Sequence, residues 1–170
     1  PFYLEMGFSK TDLGLVAKNA GLWPSVAGGL LGGVWMTRLG INRALWIFGI
    51  AQALAVLGFA WLAWLGPAEP NATRLLQLGL VIGVEAFGVG LGTTAFVAYI
   101  ARTTNPAYSA TQFALFTSLT AVPRTAFNAL SGMLAVAMGW ECFFLLCFIL
   151  AFPGMALLLR VAPWKEKSVC

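Results

Sequence analysis

An all-α, polytopic transmembrane helix bundle is the fold class this sequence predicts, on three observations. Sixty per cent of the 170 residues are hydrophobic and only 9% are charged, against roughly a quarter charged in an average soluble domain. Mean hydropathy is +0.86. The apolar residues fall into five continuous runs, each long enough to supply the roughly 20 residues that a helix needs to cross a hydrocarbon core. So few charges could not cover a soluble surface, which excludes a soluble enzyme, a disordered chain and a nucleic-acid reader.

The elements follow in order. Pro1-Phe2-Tyr3-Leu4 reads as the end of an apolar helix whose start is missing, so residues 1–11 are expected to be that end and an outer loop. Ser9-Lys10-Thr11-Asp12 offers the hydroxyl and carboxylate chemistry that starts a helix, and a first run follows to about Met36. Thr37 to Arg43 is a basic turn, and a second run goes from Ala44 to Leu65. Gly66-Pro67-Ala68-Glu69-Pro70-Asn71 stops it, because Pro and Gly punctuate helices. A third run spans about Leu75 to Ala101 and ends at Arg102-Thr103-Thr104-Asn105-Pro106. The fourth, from about Tyr108 to Met138, carries Pro123 inside it. Gly139-Trp140-Glu141 is a very short turn before the fifth run, Cys142 to Leu159. Residues 12–161 thus form a five-helix transmembrane bundle and 162–170 a polar tail. Continuous apolar runs, rather than alternating ten-residue segments, argue against a barrel.

Charge sets the orientation. Arg38, Arg43, Arg102, Arg160, Lys165 and Lys167 lie on one side, and Lys10 and Arg74 on the other. Lys and Arg accumulate in cytoplasmic loops, so the tail is expected in the cytoplasm and Phe2 to Thr11 outside.

Three ionisable residues sit within runs: Lys18, Glu85 and Arg124. A charge at mid-bilayer costs at least about 2.5–3.5 kcal/mol on insertion scales, so such groups face a bundle interior or a wet cavity. They point either to substrate binding and proton coupling or to a structural ion pair, and Lys18 is near enough to its helix end to snorkel outward. Glu85 is the one acid in the interior of a run and hence the obvious protonatable group. Thr117, Thr120, Arg124, Asn128 and Ser131 recur at helical spacing as one polar stripe. Pro123 should kink that helix. A polar stripe with a kink suits a helix lining a wet path, with interhelical hydrogen bonding as the plainer alternative. Gln112, earlier on the same run, is placed to cap or line its cytoplasmic end.

Histidine is absent, which excludes His-based catalysis, haem ligation by His and HExxH zinc sites. Cys142, Cys147 and Cys170 have neither metal-ligand spacing nor a disulfide pattern. No catalytic residue, metal site or cofactor is expected. Gly28-Gly29 and Gly32-Gly33 make two overlapping GxxxG patterns, and Gly88 and Gly92 share the face of Glu85. Small residues at these spacings let helices approach closely. Trp61, Trp64, Trp140 and Trp164 fall near the predicted membrane edges, where aromatic belts form. Asn71-Ala72-Thr73 matches a glycosylation pattern as readily by chance.

Gly32-Gly33-Val34-Trp35-Met36-Thr37-Arg38-Leu39-Gly40-Ile41-Asn42-Arg43 resembles the loop between the second and third helices of a six-helix half in the major facilitator superfamily. Thr37 stands where an acidic residue is common. More specifically, the chain resembles the AmpG-type muropeptide permeases of Gram-negative bacteria. The similar stretches are Pro1-Phe2-Tyr3 with Gly7-Phe8-Ser9, and Arg38 through Trp46. Further along they are Glu85 with Gly90-Leu91-Gly92-Thr93-Thr94-Ala95-Phe96-Val97-Ala98-Tyr99, Ala110 through Leu115, and Gly139-Trp140 with Phe143-Phe144. Pro123 departs from the glycine expected before Arg124.

This resemblance implies five spans of a six-helix half, with the N-terminal half of the transporter missing. It implies a multi-pass protein of the bacterial inner membrane that imports anhydro-muropeptides from periplasm to cytoplasm, driven by protons, for peptidoglycan recycling. Its partners would be the muropeptide, protons, the lipid bilayer and the missing half, and no nucleic acid. On this reading Glu85, Arg124, Lys18, Asn128, Thr120 and Gln112 bind substrate or couple protons, and Arg38, Gly40 and Arg43 form a conformational loop. The alternatives are a non-transporting membrane subunit, a transporter of another solute in the same superfamily, and, more weakly, an intramembrane enzyme.

Overall fold

The computed structural model describes residues 2–67, 69, 71–105 and 109–164, without the side chains of Asp12, Ser109 and Arg124. It is helical throughout, with no strand among the described residues. A four-residue helix α1 (Phe2–Glu5) precedes five long ones: α2 (Lys10–Leu39), α3 (Ile41–Trp64), α4 (Ala72–Thr103), α5 (Ser109–Met138) and α6 (Trp140–Val161). The five long helices fall on the five apolar runs. By length and composition α3, α4 and α6 are apolar enough to cross a membrane.

Local chemistry fixes the helix ends. Asn71 caps α4, its Oδ1 accepting from the Arg74 backbone N–H at 2.9 Å. This satisfies a donor that would otherwise be orphaned at the helix start. The basic turn predicted over residues 37–43 is shorter than expected: α2 runs to Leu39 and α3 restarts at Ile41. Gly40 makes the reversal alone, at φ 79 and ψ 156, a left-handed-side conformation that glycine adopts without a Cβ clash. Gly139 joins α5 to α6 with the same angles.

The helices alternate in direction. At the first end, α1 inserts Phe2 among Phe59 and Leu62 of α3, Leu78, Val81 and Ile82 of α4, and Trp140 and Phe144 of α6. The rings of Phe2, Phe59, Phe144 and Trp140 form a continuous aromatic cluster, with Phe59 stacked on Phe144 at 5.4 Å. At the second end, Ala44 and Phe48 of α3 pack on Leu91 and Ala95 of α4.

The most extensive pairing is α2 on α4; α3 packs on both α4 and α6. Glycine is what brings α2 and α4 together. A Cβ on Gly28 would stand 2.3 Å from the Phe87 carbonyl oxygen, and one on Gly90 would stand 2.3 Å from that of Ser25. The two backbones are therefore in direct contact, the arrangement small residues allow where lipid removes the hydrophobic drive between helices. Thr94 Oγ1 donates across the same crossing to Gly29 O at 3.2 Å.

Helix α5 differs from the rest. It touches α6 and α4 sparsely. Its described side chains are exposed along nearly the whole length, with Ala135 buried.

Candidate functional site

Glu85 stands halfway along α4, on the turn following Val81 and Ile82, and is half-buried. The aromatic cluster of the first end roofs this region. Tyr3 is held above it by α1 and is near enough to feel the Glu85 charge. Burial chiefly, and the Glu85 carboxylate second, push the Tyr3 phenol above its ordinary value of 10.0. Tyr3 therefore stays a neutral O–H donor at any physiological pH. At the rim Trp140 Nε1 donates to Glu5 Oε2 at 2.5 Å, which ties α1 to the start of α6.

The other predicted site residues are spread out. Lys18 is exposed on α2, and no ion pair joins it to Glu85. Arg124 is placed on α5 by its backbone, and its side chain lies outside the described residues. Thr120 and Asn128 are exposed on α5. The hydroxyls of the stripe turn back onto their own helix: Thr117 donates to Phe113 O at 2.9 Å, Thr120 to Thr117 O at 2.8 Å, and Ser131 to Asn128 O at 2.8 Å. Serine and threonine take such bonds when no other partner reaches them. Gln112 serves the loop before α5, its Oε1 accepting from the Asn105 backbone N–H at 2.8 Å.

The second end holds a polar latch. Arg38, Gly40 and Arg43 line a cavity of about 360 Å³ together with Thr37, Leu39, Asn42 and Trp164. Beneath it, three donors reach the last carbonyls of α6 and the residues after it. Tyr99 Oη donates to Val161 O at 3.3 Å, Trp46 Nε1 to Ala162 O at 3.0 Å, and Asn42 Nδ2 to Pro163 O at 3.1 Å. Asn42 is 6% exposed, and its Oδ1 accepts from Arg102 Nη2 at 2.5 Å. Arg102 also lies over the Tyr99 ring, 5.7 Å from its centre. These bonds bind α3, α4 and α6 into one unit at this end. They also satisfy carbonyls that a helix C-terminus leaves open.

Asn42, Trp46 and Tyr99 were not among the residues expected to act. The signal for Asn42 was a carboxamide just after the turn glycine, in a chain with few polar groups. Replacing Asn42 with alanine removes a neutral and a charge-assisted bond from a buried site. The expected loss is about 2 kcal/mol, read as a lower unfolding midpoint in detergent. An unchanged midpoint would show that the latch does not hold the bundle.

A half-buried acid in an apolar bundle of long helices alternating in direction, closed by a polar latch at one end and an aromatic cluster at the other, defines an integral-membrane helical protein. Comparison with known proteins makes the placement narrower: over more than nine-tenths of its length the chain is homologous to proteins named AmpG-type transporters. It is 38% identical over 159 residues to a putative transporter AmpG 4 of Rickettsia conorii, covering 94% of this chain and 37% of the relative. It is 38% identical over 154 residues to the anhydromuropeptide permease of Escherichia coli K12, covering 91% of this chain and 30% of the relative. An uncharacterised Haemophilus influenzae protein is 49% identical over 168 residues, covering 98% of this chain and 40% of the relative. The chain thus spans well under half the length of these relatives. No protein-family model matches it.

Proposed function

We propose that this chain forms part of a proton-coupled secondary transporter that carries anhydro-muropeptides from periplasm to cytoplasm across the bacterial inner membrane. The observation that carries the reading is Glu85, a carboxyl group midway along α4, a helix long and apolar enough to cross a membrane, in a chain related to a protein named anhydromuropeptide permease. An acid at this depth is costly and marks ion or substrate pathways. Arg124 suits the anionic groups of a sugar–peptide wall fragment, because a guanidinium binds a carboxylate through two parallel bonds. Thr120 and Asn128 extend that polar face, and Lys18 adds a second cation on α2. The exposed length of α5 supports a site completed by a further helical portion, as expected for carriers that bind substrate near mid-membrane between two repeats. Arg38, Gly40 and Arg43 serve as the loop about which the cytoplasmic end rearranges, with the tail on that side.

The experiment is uptake of labelled muropeptide by cells expressing the whole reading frame that encodes this chain, with and without an uncoupler. Uptake that the uncoupler abolishes is the expected result. Equal uptake in a strain lacking the reading frame would remove the transporter assignment.

A further inference from the structure

Helices α3 and α6 are tied together at two levels and part between them. At the second end Trp46 Nε1 donates to Ala162 O and Asn42 Nδ2 to Pro163 O. Toward the first end the ring of Phe59 stacks on that of Phe144. Between these ties lies an apolar groove of about 640 Å³, walled by Trp46, Ile50 and Leu54 of α3 and by Phe148, Phe152 and Leu159 of α6. Ile50, Leu54, Phe152 and Leu159 are exposed, so the groove opens away from the bundle. Along α3 it runs from Trp46 to Leu54, about 12 Å at 1.5 Å per residue. That is close to half of a hydrocarbon core about 30 Å thick. A groove one leaflet deep suits a lipid tail; a partner helix that crosses the whole core would need a longer one.

Cations stand at its mouth. Arg43 lies seven residues before Ile50 and eleven before Leu54, so it falls on the groove face of α3, in the first turn of that helix. It also lines the cavity of the second end together with Arg38 and Trp164. All three side chains are exposed. Neither arginine makes an ion pair or hydrogen bond with a described residue. The space over Gly40, between them in sequence, is open: a Cβ there would meet nothing within 4 Å. Guanidinium groups hold phosphate through paired bonds, and tryptophan settles at the level of lipid headgroups. Basic pockets between membrane helices bind anionic lipid headgroups. The mouth therefore complements the charge of such a headgroup, and the groove below it matches the depth of its tail.

We propose that the α3–α6 groove and the basic cavity at its mouth hold one anionic phospholipid, its phosphate on Arg38 and Arg43 and one acyl chain laid against Ile50, Leu54, Phe152 and Leu159. The lipid fills the gap between the two helices from the membrane side. The site is separate from Glu85 on α4, and it does not depend on the transporter reading.

Native mass spectrometry of the whole protein, released from detergent with added phosphatidylglycerol or phosphatidylethanolamine of the same chains, tests it. One phosphatidylglycerol is expected to stay on the protein at about tenfold lower concentration than phosphatidylethanolamine needs. Water-soluble glycerol phosphate at the same concentration should not displace it, because it brings no tail to the groove. Arg38→Ala combined with Arg43→Ala should remove that bound lipid. Ala156→Phe, which fills the groove from α6, should remove it with both arginines in place. Ala156 and the two arginines are exposed, so neither variant disturbs a packed interior. Equal retention of the two lipids, or retention unchanged in either variant, would overturn the proposal. Displacement by glycerol phosphate would do the same, since it would leave a phosphate site without the groove. A mass of two lipid-free copies would assign the groove to a second copy of the chain and also end the proposal. If either variant fails to fold, the two lipids and glycerol phosphate on unsubstituted protein decide by the same criteria.

Discussion

Replacing Gly90 with alanine is expected to separate α2 from α4 and to cost about 3 kcal/mol, the upper range for overfilling a packed interior. The added methyl would stand 2.3 Å from Ser25 O, 2.8 Å from Gly29 N and 3.1 Å from Gly28 C. All three are backbone atoms, so no side chain can rotate away and the helices themselves must move. Gly28→Ala should behave alike, since its Cβ would meet Phe87 O at 2.3 Å. Gly33→Ala is the control. Its Cβ would meet nothing within 4 Å, and alanine is the better helix former by roughly 0.5–1 kcal/mol. It should be neutral or slightly stabilising. Folded fraction measured against a denaturing detergent checks the set. A Gly90→Ala protein that unfolds with the unsubstituted one would show that the crossing is looser than these contacts require.

Glu85→Gln in the whole protein is expected to abolish proton-driven uptake while substrate binding remains. The amide keeps the shape of the side chain and part of its hydrogen bonding, but it cannot take up and release a proton. Desolvation favours the neutral acid and a nearby cation favours the carboxylate. On the proposed transport reading, a carboxyl exposed in turn to those two environments would load and unload a proton. If Glu85 were only a packing residue, the change would lower the yield of folded protein and leave the rate per folded molecule intact. Uptake normalised to folded protein separates the two, and an unchanged normalised rate would end the coupling role.

Much of the architecture was legible from local sequence. The runs are so apolar, and the punctuation at Gly66-Pro67, at Arg102 to Asn105 and at Gly139 so marked, that five long helices follow from length and hydropathy alone. Glu85 stood out for the same reason, because a single acid in an apolar run is costly wherever the helix packs. The close approach of glycine-bearing helices was also readable as a tendency. Which glycines make the contact was not: Gly28-x-x-x-Gly32 and Gly29-x-x-x-Gly33 are equivalent as patterns, yet Gly28 abuts Phe87 O and Gly33 faces open space. A one-residue offset turns a helix by about 100°, and only the partner's position says which direction is occupied.

The latch shows the same limit more strongly. Asn42 meets Arg102 across 60 positions of sequence and Pro163 across 121, and no local signal encodes partners at such separations. Gln52 is similar: along the chain it is one polar residue in an apolar run, and its room comes from Gly88 and Gly92 on another helix. The α5 stripe is the converse case, its spacing plain in the sequence while its hydroxyls turn to their own backbone. Sequence alone determined that this chain makes long helices suited to a membrane and that one of them carries a single acid midway along it, because both are read from the order of apolar and charged residues along the chain. Tertiary structure decided which backbones touch, which carbonyls are latched and where a cavity opens, because those depend on the rotation and depth of each helix against its neighbours.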